Sequence, residues 1–160
     1  MKSSPSPSPT FHLRGREIIE ADHERVARLL AKGFQRPVWY YAQALRRLSL
    51  HPTPADLSKY GFVMEADGVA VGAALLTFST VRSGENTQTR WNVTSWYVEP
   101  AYKSVAAVFT SRALRRKDVT YINISVRPAA RPNINAEGVR PYSQGQYVVP
   151  PSRAGRPKAR

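Results

Sequence analysis

The residues best suited to chemistry stand around one proline. Glu99 is the acid at the end of a strand-like run, and Lys103 and Ser104 follow Pro100 after a short interval. A carboxylate there can act as a general base if partial burial raises its pKa. Its alternative role is simpler: an acid in the first turn of a helix lies at the positive end of the helix dipole. Lys103 and Ser104 either touch a phosphate or stand exposed on that turn. The backbone makes the phosphate reading physical. A strand that turns abruptly into a helix aims several N–H groups without helical partners at one point, and such a point holds anions.

The elements that must position these groups are legible in the pattern. Residues 92–98 are rich in β-branched and aromatic side chains, as strands are. Residues 101–116 repeat apolar side chains at helical spacing through Tyr102, Val105, Ala106, Phe109 and Ala113. Pro100 suits the first turn of a helix, where no N–H is needed. Upstream, 17–21 (EIIEA) predicts a short first strand, with Asp22 as the N-cap of a helix marked by Val26, Leu29, Leu30 and Phe34 and ended by Gly33. Pro37 opens a second helix, whose apolar face carries Val38, Tyr41, Ala42, Leu45 and Leu48. Asp67-Gly68 between two apolar runs, 61–66 and 69–81, is a hairpin signal, since both residues tolerate positive φ. Residues 82–89 read as a polar loop and 119–126 as a strand. Residues 131–137 read as a short helix, and 139–142 with 146–149 as a terminal hairpin.

The expected fold is therefore α/β of the α+β kind: a mixed, mostly antiparallel central sheet with helices on both faces. The organisation expected is a disordered Ser/Pro leader over 1–14, one domain over 15–149 and a disordered basic tail over 150–160. A helix between two strands of one sheet implies a right-handed parallel crossover there, with a ligand crevice beyond the strand ends.

Composition narrows the partners. The chain has 160 residues, 42% of them hydrophobic, and no cysteine, which excludes disulfides and thiolate metal sites. His12, His23 and His51 show no ligand spacing, so no metal is expected. No apolar run is long enough to cross a membrane and no secretory leader is recognisable, so the cytoplasm is the default expectation. The net charge of +13 is compatible with nucleic acid or anionic cofactors. Arg112, Arg115, Arg116 and Lys117 form a nucleic-acid patch only if aromatics join them; otherwise they are cations at the negative end of a helix. Trp39, Tyr40 and Tyr41 either line an acceptor pocket or pack as core.

The run Trp96-Tyr97-Val98-Glu99-Pro100-Ala101-Tyr102-Lys103-Ser104-Val105-Ala106-Ala107-Val108, taken with the element order, resembles the GCN5-related N-acetyltransferase superfamily. It is similar to that family's hydrophobic strand, V-x-P-x-Y-R turn and pyrophosphate loop. Asn133–Val139 is similar to the segment ending in Gly-Phe after the fourth helix. The resemblance implies an acyl-CoA site, for acetyl-CoA or another acyl-CoA. Backbone groups of Trp96, Tyr97 and Val98 would pair with the pantetheine arm. Amides from Ser104, Val105, Ala106, Ala107 and Val108, with Lys103, would hold the pyrophosphate. An unidentified amine would attack the thioester, with Glu99 and Tyr142 as the candidate acid–base residues. Lys103 stands where the family has Arg or Gln, Ala106 and Val108 fill its loop glycines, and Ile134 replaces its usual tyrosine. Three functions follow for testing: an N-acyltransferase, a non-catalytic interaction module of the same fold, and a nucleic-acid binder acting through the basic tail.

Overall fold

The computed structural model describes residues 12–124, 126 and 139–143. The chain divides into two compact units, Met1–Val126 and Arg127–Arg160. In the second unit, 139–143 are exposed and form no regular element, so the strand expected over 139–142 is not formed. The expected helix over 131–137, the partner strand over 146–149, the N-terminal leader through residue 11 and the basic tail lie outside the described residues.

The first unit is a five-stranded sheet in the order β1-β2-β3-β4-β5. Strand β1 is Leu13–Glu17, β2 Gly61–Ala66, β3 Val69–Ser83, β4 Asn86–Val98 and β5 Val119–Ile122. The first four pair antiparallel and β5 pairs parallel to β4. Helices α1 (His23–Phe34) and α2 (Val38–Leu50) cover one face, and α3 (Ala106–Ala113) the other. Val26, Leu30, Leu45, Val63, Ala73 and Leu75 form the core under α1 and α2. Met64, Val71, Ala74, Val98 and Phe109 form the one under α3. Each fully buried leucine contributes about 2 kcal/mol, so these two layers carry the fold.

Several boundaries differ from the sequence reading, each for a physical reason. The first strand is the charged stretch Leu13–Glu17, not 17–21. It is an edge strand, where charge is tolerated and discourages pairing with other chains. Ile18 is buried, Ile19 stands 56% exposed, and Glu20–Asp22 wind into a 3-10 turn. Asp22 precedes α1 but its carboxylate does not cap it. It accepts the Ile19 N–H at 2.9 Å and the Arg16 guanidinium at 2.6 and 2.8 Å. Helix α1 ends one residue beyond Gly33, with Gln35 left-handed at φ 54°. Gly33 is small because the Tyr97 ring lies on it: a Cβ there would meet that ring at 2.3 Å.

Asp67 and Gly68 do turn the β2–β3 hairpin, at φ 49° and 83°. The polar stretch 82–89, expected as a loop, instead extends the β3–β4 ribbon down to Ser83 opposite Asn86. Its threonines and glutamine alternate along a two-sided ribbon, where polar side chains suit exposed faces. The strand expected over 119–126 is confined to Val119–Ile122. Among the described residues no helix is long and apolar enough to cross a membrane.

Candidate active site

Strand β4 is the axis of the site, and a single extra residue shapes it. Leu75 pairs with Ser95 and Leu76 with Val93, so Thr94 is a bulge. One inserted residue reverses side-chain alternation. Trp91 and Val93 before the bulge, and Trp96 and Val98 after it, therefore all contribute to the cores on the α3 side. Tyr97 faces the other way and packs with the core under α1 and α2, its ring 6.3 Å from that of Phe34.

Pairing between β4 and β5 runs from Thr89 opposite Val119 to Asn92 opposite Ile122. Beyond Asn92, β4 continues to Val98 with no β5 partner among the described residues. Those six residues extend for about 20 Å. Pairing with β5 thus ends at Asn92, and β4 runs on from there into Pro100. Asn92 also carries a buried polar atom without a hydrogen-bond partner, its Oδ1. The sequence reading missed this residue, since its only local signal is a polar side chain inside an otherwise apolar and β-branched strand.

At the open end the chain does not enter an α-helix directly, as the periodicity of 101–116 predicts. Pro100–Val105 form a 3-10 helix, and α3 begins at Ala106 and ends at Ala113. Tyr102 and Val105, three apart, share one side of this tighter helix and both pack on the α3-side core. The Tyr102 N–H donates to Glu99 O at 2.9 Å, and the Ala106 N–H to Lys103 O. Lys103, Ser104, Ala107 and Val108 are exposed. Val108, 54% exposed, neither plugs the turn nor enters the core, while Ala106 packs against the sheet. The side chains in the two glycine positions thus leave an exposed turn with a lysine and a serine on it.

Glu99 is held firmly, but toward α1. Its N–H donates to Val71 O at 2.8 Å, and its carboxylate accepts from Lys32 Nζ at 2.6 Å. That hydrogen bond and its charge raise the Lys32 pKa. Glu99 lines an open groove of about 350 Å³, whose other walls include Arg25, Arg28, Leu29, Lys32 and Val69. Arg25 leads from the groove to a charged clamp with Arg16, Asp22 and Glu65. The hydrogen bonds of Arg16 hold the Asp22 carboxyl far below the usual carboxylate range. Burial pushes Glu65 up, yet Arg16 and Arg25 outweigh it and hold this carboxyl low as well.

The other candidates separate. Tyr41 is core at 4% exposure, while Trp39 and Tyr40 stand 64% and 50% exposed at the start of α2. Tyr142 is 73% exposed and belongs to the second unit. Arg116 lies past the end of α3 and is bound by Asp56 and Asp118, which leaves it poorly suited to a nucleic-acid patch. No group of three His, Asp or Glu side chains gathers as metal ligands among the described residues.

No protein-family model matches the chain, and no curated protein sequence does. Solved structures do. One is the aminoglycoside N-acetyltransferase AAC(6')-Iy with the bisubstrate analogue CoA-S-monomethyl-acetylneamine, at TM-score 0.64 and 15% identity, covering 87% of this chain and 98% of that one. Another is a GCN5-related N-acetyltransferase from Ralstonia eutropha, at 0.61 and 19%, covering 86% and 99%. This chain has the GCN5-related N-acetyltransferase fold. Glucosamine-6-phosphate N-acetyltransferase from Arabidopsis thaliana matches at TM-score 0.62 with only 8% identity, over 86% of this chain and 98% of that one. Within the N-acetyltransferase fold this chain is thus a divergent case.

Proposed function

We propose that the chain is an acyl-CoA-dependent N-acyltransferase that transfers an acyl group, acetyl or longer, to an amine. The observation that carries this reading is the edge of β4 between Val93 and Val98, which has no β5 partner among the described residues and runs directly into the exposed turn bearing Lys103 and Ser104. A free strand edge offers N–H and C=O groups to an extended ligand with amides of its own. That suits the pantetheine arm, with Trp96, Tyr97 and Val98 supplying backbone partners. The exposed turn suits the pyrophosphate: Lys103 brings charge, and Ser104, Ala107 and Val108 lie at or just before the first turn of α3. Bound there, acyl-CoA supplies the activated thioester carbon.

In this reading Glu99 accepts the proton of the attacking amine. Glu99 must first exchange Lys32 for the amine. Isothermal titration with acetyl-CoA and longer acyl-CoAs tests the site, and no heat and no thermal shift at millimolar ligand overturns it. Glu99→Gln is expected to lower turnover roughly a hundredfold with acetyl-CoA affinity unchanged, as loss of a general base does.

A second reading draws on the Lys32–Glu99 pair, which occupies the candidate base. Under it the protein is a non-catalytic module of the same fold. Acetyl-CoA binding without thiol release in the presence of any amine would favour it. Thiol release that is lost in Glu99→Gln would exclude it.

A further inference from the structure

Aromatic side chains at helical spacing ordinarily pack inward. Helix α2 does the reverse at its start: Val38, Trp39 and Tyr40 are all exposed, and so is Leu50 at its far end. The inward side of this helix is already filled, since Tyr41 and Leu45 are buried and Leu48 packs on the same core. The outward side carries Trp39, Gln43, Arg46, Arg47 and Leu50. Trp39 and Leu50 are eleven residues apart. At about 100° per residue that is three turns and about 20°, so the two leave the helix in nearly the same direction, about 16 Å apart along its axis. Leu50 is 78% exposed. Two apolar anchors thus stand in line on one face, with arginines beside them.

We propose that the outward face of α2 docks on an anionic lipid surface, with the helix lying flat. Its charge selects that partner. From Arg25 to Ala55 the chain has six cations and no acid. Three are neutralised from other positions: Arg25 by Asp22 and Glu65, Arg28 by Glu24, and Lys32 by Glu99. Arg36, Arg46 and Arg47 are exposed and form no ion pair among the described residues. A second copy set against this face brings arginine onto arginine. The segments outside the described residues carry Glu137 as their one acid, too little countercharge for three arginines. A nucleic-acid strand can stack on Trp39 and Tyr40 and pair with the arginines, but it has no use for Val38 and Leu50. An anionic leaflet uses every one of these groups. Trp39 and Tyr40 suit the headgroup level, where one end of the ring is apolar and the other wet. Leu50 and Val38 reach the acyl boundary, and the arginines meet lipid phosphates while their stems lie along apolar surface. With 13 residues α2 is too short to cross a bilayer, so it lies on one.

The test follows the full chain onto vesicles of phosphatidylcholine alone, and of phosphatidylcholine with phosphatidylglycerol in equal parts, by flotation and tryptophan emission. Wild type is expected to float with the anionic vesicles only. Its emission should move to the blue as Trp39 leaves water, since Trp91 is buried already. Trp39→Ser combined with Leu50→Ser should lower the partition coefficient at least about tenfold, as loss of two interfacial anchors does. Arg46→Gln combined with Arg47→Gln should lower it comparably and flatten its dependence on salt. All four positions are exposed, so Tm should not change in either double variant. Trp39→Phe keeps an aromatic anchor and should retain most of the binding. Wild type that stays off anionic vesicles, or that binds phosphatidylcholine alone equally well, overturns the assignment. Double variants that float as wild type does overturn it too, and pass the binding to the basic residues of 150–160. Capture of oligothymidylate in preference to anionic vesicles, lost in Trp39→Ser, makes the face a nucleic-acid site and overturns it as well.

Discussion

Arg16 is the residue on which most polar order in the first unit converges. It donates to Asp22 and Glu65 at once, and Arg25 closes the set, so two cations face two carboxylates with little solvent around Asp22. Removing one partner from a buried pair strands the charge of the other. Arg16→Met should therefore cost about 3–5 kcal/mol, read as a shift in urea midpoint at pH 7. The same clamp sets an acid limit. The folded pKa of Asp22 lies below its ordinary value of 3.8, so its stabilisation is complete above that value and fades as pH falls further. Wild type should lose stability steeply below about pH 4, and Asp22→Asn should flatten that slope while being less stable at neutral pH. Glu65, held low by the same arginines, adds to the slope in the same direction.

At the scale of elements, β4 depends on one irregularity. Deleting Thr94 would restore simple alternation and turn Trp96 and Val98 from the α3 side toward α1 and α2, while Tyr97 would leave its place on Gly33. The expected outcome is loss of a soluble folded protein, judged by circular dichroism and gel filtration. Thr94→Ala keeps the residue count and should stay within about 1 kcal/mol of wild type. Gly33→Ala probes the other side of the same contact. Its methyl would press into the Tyr97 ring and force it to move, which should cost roughly 1–3 kcal/mol by thermal melting. Helical periodicity located α3 and misjudged its start. Tyr102 and Val105 fit a period of three as well as one of 3.6, and only packing on Met64 and Phe109 decides between them.

At the scale of the whole molecule, ligand binding and stability are linked. If acyl-CoA binds along the β4 edge, ligand at about a hundred times its Kd adds about 2.7 kcal/mol. The Tm should then rise by roughly 5–10 °C, a shift differential scanning fluorimetry resolves. Lys103→Glu should remove most of that shift and leave the unliganded Tm unchanged, since Lys103 is exposed. The order of most elements, the Asp-Gly hairpin and the strand–proline–helix junction could all be read from the chain alone. Each depends on local propensity and short-range periodicity, which neighbouring residues set by themselves. The length of the β3–β4 ribbon, the Thr94 bulge, the turn of Glu99 toward Lys32 and the orphaned oxygen of Asn92 could not. These depend on which strand lies alongside and which helix lies above, and pairing between distant segments leaves no period in the sequence.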